Sequence, residues 1–125
     1  MHRFAWSILA VAAPALSMAQ AAYSPQYTAC MNKSDGATAT MIECITDEAK
    51  AQDARLNDHY KKLLATLTPP RKAQLQEAQR AWIRFRDLNC KFYVDPDGGS
   101  MARVQGNECF LRVTADRANE LKVME

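Results

Sequence analysis

The residues able to do chemistry are few: Cys30, Cys44, Cys90 and Cys109, a lone histidine after the first two residues (His59), and dispersed carboxylates. An even set of cysteines in a small exported domain reads as two disulfides. Zinc is the rival, but there is no Cys-x-x-Cys and only one histidine to join the set. His59 sits between Asp58 and Tyr60 with no serine or free cysteine placed to use it as a base, so it reads as a structural side chain. Asp95-x-Asp97-Gly98-Gly99 has the opening of a calcium loop. Its sixth position is Ser100 where glycine is required, and its twelfth is Gly106 where glutamate is required. A turn is the better reading. Glycoside hydrolysis would need two carboxylates across a cleft, and the helical pattern below offers none. The residues point away from an enzyme, with no metal and no cofactor.

The compartment follows from the N-terminus. Met1 to Arg3 is a short basic region, an apolar run broken by Pro14 follows, and Ser17-Met18-Ala19 or Ala19-Gln20-Ala21 ends it with the pattern of a cleavage site. This is the pattern of a secretory signal over residues 1–21, too short for a spanning helix. Its removal leaves about 104 residues, enough for one domain over 22–125. It also removes Arg3 and leaves the chain near neutrality. Without a concentrated basic face, nucleic acid and anionic membrane are poor partners. The expected product is a periplasmic or secreted protein with no stable membrane anchor.

Periodicity supplies the elements that must position these groups. Residues 22–39 read as an irregular entry with at most a short turn. Thr40 and Glu43 can form a capping box, and Ile45, Ala49, Gln52, Leu56, Tyr60, Leu63 and Leu67 then follow a helical stripe. Thr68-Pro69-Pro70 stops that helix and suits the first turn of the next. Leu75, Ala78, Trp82, Phe85 and Asn89 form the second stripe, and so short a connection implies an antiparallel hairpin. Residues 91–107, with Pro96, Gly98, Gly99 and Gly106, read as an ordered loop. A third helix resumes at Cys109. The fold class is all-α: a long antiparallel helical hairpin plus a C-terminal third helix, with two disulfides.

On that scheme the structural core is Leu56, Tyr60, Leu63, Trp82, Phe85 and Leu121, with residues 75–90 as the organising helix. Reflection through the turn sets Asp53 opposite Arg84, Asn57 opposite Arg80 and Cys44 near Cys90. Asp53, Asn57, Arg80, Arg84 and Arg86 then form either a polar network between helices or a set of solvated charges. Three disulfide pairings are possible. Cys30–Cys44 with Cys90–Cys109 is favoured because it closes two short loops at lower entropic cost. Cys44–Cys90 with Cys30–Cys109 suits the reflected hairpin.

The series Met41-x-x-Cys44, Asp53-x-x-Leu56-Asn57-x-x-Tyr60, then Gln79-Arg80-Ala81-Trp82-Ile83-x-Phe85-Arg86-Asp87-x-x-Cys90 resembles the LprI-type lysozyme-inhibitor family. Gly98-Gly99-Ser100, Cys109 and Thr114-x-x-Arg117-x-x-x-Leu121 continue the likeness. The resemblance implies a small exported helical protein that binds a lysozyme or another muramidase and occludes its cleft. No inhibitory motif carries over to single positions. Physics favours residues 91–107 for contact, because a disulfide-bounded loop loses little entropy on docking. Tyr93, Asp95, Asp97, Ser100 and Arg103 are the candidates. The alternative is a non-inhibitory envelope module that binds another protein through the hairpin.

Overall fold

The computed structural model describes residues 22–125; the signal-peptide reading falls on residues 1–21, outside the described residues. Four helices follow one another: α1 (Pro25–Ser34), α2 (Thr38–Thr66), α3 (Pro69–Phe92) and α4 (Gly99–Met124), with no strand among the described residues. The two disulfides are Cys30–Cys44 and Cys90–Cys109, with Cα separations of 5.7 and 5.3 Å. The all-α class, the long hairpin and the favoured pairing are thus what the structure contains.

The entry segment corrects the expectation of irregular chain. Ser24 caps α1, accepting from the Tyr27 amide at 3.2 Å, and Pro25 occupies the first turn, where its missing N–H costs nothing. Ser24 in turn is anchored on α2. Its amide and hydroxyl donate to the Glu48 carboxylate at 2.9 and 2.5 Å, and Gln52 Nε2 donates to the same group at 2.8 Å. Burial pushes Glu48 upward, but these hydrogen bonds and Arg55 outweigh it and hold the carboxyl below its ordinary value. With Cys30–Cys44, this fastens α1 to α2 at two points. The capping box at Thr40 and Glu43 does not form: α2 begins at Thr38, with Ala37 as its cap and no side-chain hydrogen bond there.

α4 is the organising helix, which corrects the primacy given to residues 75–90. It lies closely along α2 and also holds α3. Eleven of its residues are buried, whereas α3 buries only Gln79 and Cys90. Small side chains on α4 suit it to this role: Ala115 and Ala118 are fully buried, and Ala102 and Gly106 lie against the α3–α4 connection. Three apolar clusters result. Ile45, Ala49, Val104 and Leu111 fill one end, with Tyr23, Tyr27 and Met31 packed on them. Leu56, Leu63, Ala118 and Leu121 fill the other, with Tyr60, Leu67, Leu75 and Trp82 against them. The third surrounds the Cys90–Cys109 disulfide with Val113.

Phe85 is the clear correction to the core list: it is 57 % exposed. The inward arc of α3 is Leu75, Gln79, Trp82, Arg86 and Cys90. Phe85 lies about 100° round the helix from Arg86 and falls outside that arc. Tyr60 and Trp82 are half-buried, while Leu56, Leu63 and Leu121 are buried.

The loop expected over residues 91–107 is also shorter than its composition suggests. α3 runs to Phe92 and α4 starts at Gly99, so the connection is residues 93–98. Gly99 takes φ +67°, a left-handed conformation that favours glycine at the start of α4. Gly106 is helical and serves contact instead of a turn. A Cβ there would stand 2.3 Å from Val94 Cγ2, so its missing side chain lets the connection lie flat on α4.

Candidate functional site

Two surfaces carry the residues singled out in the sequence: the α3–α4 tip and a groove between α2 and α3. At the tip, the Cys90–Cys109 disulfide ties the last turn of α3 to α4. The connection is ordered by short-range bonds. The amides of Tyr93 and Val94 donate to Cys90 and Lys91 carbonyls, and Gly98 donates to Asp95 at 3.0 Å. Asp95 Oδ1 accepts from the Asp97 amide at 2.9 Å, an Asx turn that explains the acidic pattern without a cation. No group of three or more metal-binding side chains occurs among the described residues.

Of the candidate contacts, Tyr93, Asp95 and Asp97 sit in the connection, whereas Ser100 and Arg103 lie on the first turns of α4. All five are exposed. Sequence reasoning missed their apolar neighbours. Phe85, Leu88 and Phe92 stand one turn apart on α3 and are 57, 60 and 86 % exposed, forming a convex ridge that leads into the tip. Tyr93, Val94 and Met101 extend it as exposed apolar side chains. The signal was legible as an i, i+3, i+7 set offset from the Leu75–Trp82 stripe.

The polar residues divide. Asp53, Asn57, Arg80 and Arg86 line a cavity of about 560 Å³ between α2 and α3, together with Gln76 and Tyr60. Asp53 accepts from Asn57 Nδ2 at 3.3 Å and lies 3.9 Å from Arg86. Arg84 is exposed and lies outside the lining. The reflected register is therefore displaced by two residues at Asp53, which meets Arg86 in place of Arg84. Arg86 stacks over Phe110 at 4.1 Å and Trp82 at 5.1 Å, and its Nε donates to Asp87 at 3.0 Å. Arg117, which entered the sequence reading through the family likeness, reaches Trp82 from α4 and donates through Nε to Gln79 at 3.0 Å. His59 is closed off by Glu125, its Nδ1 lying 2.7 Å from the carboxylate. No free cysteine occurs among the described residues.

The described residues thus form a disulfide-fastened helical domain with exposed apolar side chains at its α3–α4 tip. The family model described as "Lysozyme inhibitor LprI" matches residues 30–121, so the chain belongs to the LprI lysozyme-inhibitor family. It is also 31 % identical over 93 residues to an uncharacterized protein of Rhizobium meliloti (strain 1021), covering 63 % of this chain and 67 % of the relative. No solved structure gives a significant match. The family and the disulfides agree with an extracytoplasmic protein, and no helix among the described residues is long and apolar enough to cross a membrane.

Proposed function

We propose that this is a periplasmic or secreted protein that binds a lysozyme-like peptidoglycan hydrolase and blocks its cleft with the α3–α4 tip. The family supports the target class. The observation that carries the choice of surface is the convex ridge Phe85–Leu88–Phe92 running into a disulfide-held turn. A cleft is filled by something convex, and preorganised apolar side chains lose little conformational entropy on docking. Asp95, Asp97 and Arg103 beside the ridge supply the polar rim that fixes orientation. The same ridge would serve the alternative, an envelope module that docks a protein without inhibiting it, since exposed apolar patches mark partner surfaces in either case.

A muramidase assay against several lysozyme types, with the oxidised protein titrated and a reduced, alkylated control, separates the two. Saturable inhibition at near-stoichiometric ratios that disappears in the control is the expected result. Leu88→Ala with Phe92→Ala should weaken it at least tenfold, because burying these two apolar side chains would supply much of the interface energy. Asp97→Ala with Arg103→Ala should weaken it less. Failure to inhibit any lysozyme, with helical content intact, would leave the interaction module as the reading.

A further inference from the structure

The inward arc of α3 carries a second recognition surface that inhibition by the tip does not use. Arg86 is its centre: the side chain is only 11 % exposed, yet it borders two cavities at once. One is the 560 Å³ groove between α2 and α3. The other, of about 450 Å³, continues past Asp53 toward Thr46, Asn107 and Phe110. The guanidinium plane is fixed by stacking on Phe110 and Trp82 and by the Nε bond to Asp87. Its terminal nitrogens have no hydrogen-bond partner among the described residues. Asp53, the nearest cross-helix carboxylate, stands at 3.9 Å, beyond hydrogen-bonding range, and already accepts from Asn57. A guanidinium presents its donors as a rigid fork that a carboxylate satisfies in two parallel bonds.

We propose that this groove binds a carboxylate-bearing saccharide, with Arg86 receiving the carboxylate. Lys50 and Arg80 also line the two cavities, but Asp47 pairs with Lys50, Asp87 with Arg86 and Asp53 lines both, so the fork geometry of Arg86 and not the net field selects the carboxylate. The α2 wall is polar along its length: Thr46, Lys50, Asp53, Asn57 and Tyr60 succeed one another at helical spacing. At 1.5 Å rise per residue that stripe is about 20 Å long, room for several sugar rings. Amide, hydroxyl and carboxylate groups at this density match ring hydroxyls. Leu56, Trp82, Ile83 and Phe110 in the same linings offer apolar surface for the faces of the sugar rings. The ridge occupies a different arc of α3, so the groove can be filled whether or not the tip inhibits a hydrolase.

Trp6 and Trp82 are the only tryptophans, so in a Trp6→Phe chain the emission reports Trp82, against which Arg86 stacks. The protein is titrated in parallel with an oligogalacturonate, a neutral chitooligosaccharide and a short oligoglutamate peptide. Saturable change with the acidic sugar, at least tenfold tighter than with the other two, is expected. Arg86→Lys, which keeps the charge and loses the fork, should weaken it about tenfold. Arg80→Ala, an exposed substitution with little risk to folding, should weaken it severalfold and reduce its salt dependence. Equal response to the neutral sugar would remove the carboxylate from the proposal, and tighter binding of the peptide would remove the saccharide. No saturable change up to about 10 mM of any probe would overturn the site, since weaker binding has little recognition value.

Discussion

α4 and α3 are helices of similar length, 26 and 24 residues, tied together by one disulfide, yet they are used in opposite ways. α4 presses small and branched side chains against α2 and encloses Leu111, Ala115, Ala118 and Leu121 almost completely. α3 touches the rest through one narrow arc, leaves cavities beside it and exposes Phe85, Leu88 and Phe92. Large apolar side chains held mostly in water contribute little to folding, and a contiguous set of them is the usual mark of a contact surface. The comparison places stability in the α2–α4 pair, and under the proposed function recognition falls to α3.

The largest expected effect tests the first half of that assignment. Leu121→Ala should cost about 2–5 kcal/mol in chemical denaturation, because it empties a fully buried site between α2 and α4. Removing the α3 tether by Cys90→Ala with Cys109→Ala should cost about 2–4 kcal/mol, for a bond that closes a 19-residue separation. Hydrogen exchange should then show α3 amides opening well before those of α4; uniform acceleration would mean that the two helices unfold together.

Gly106→Ala should cost about 1–3 kcal/mol and loosen the tip, since the added methyl meets Val94 across the α4 surface. A variant that melts like the parent would show that the connection can lift away freely. The α1 anchor gives a pH test. Glu48 is held below its ordinary 4.5, so its stabilising effect is present above that pH and is lost as pH falls through the lowered value. The melting-temperature gap between the parent and Glu48→Gln should therefore be widest near neutrality and narrow in acid. A constant gap would remove the carboxylate charge from the account. The smallest effect belongs to α3: Phe85→Ala should change stability by less than about 0.5 kcal/mol, in contrast to Leu121→Ala.

The residues of the hairpin were legible because Pro69 and Pro70 and the Leu56–Leu63 stripe act locally: a backbone either accommodates proline or it does not. The Cys30–Cys44 and Cys90–Cys109 pairs were favoured for a related reason, since short loops are cheap to close. Gly106 misled, because glycine signals equally a turn and a close approach, and only Val94 lying against it distinguishes the two. Phe85 misled because a stripe shows that a helix has an apolar side without showing how wide an arc its neighbours cover. The ionic partners were legible as a set, but Arg84 and Arg86 lie close together in sequence. Which one meets Asp53 depends on the rotation of α3 against α2.

The sequence by itself determined the two hairpin helices, a C-terminal helix after them and the favoured cysteine pairing, because proline, periodicity and loop-closure entropy operate over short stretches of chain; α1 and the first turns of α4 escaped it. Only the tertiary structure decided that α4, and not α3, is the centre. Burial is a property of what surrounds a side chain, and the small residues that let α4 approach α2 have no value until the two helices meet. The same packing freed Phe85, Leu88 and Phe92 to face solvent and placed Arg86 between two rings with its fork unmet.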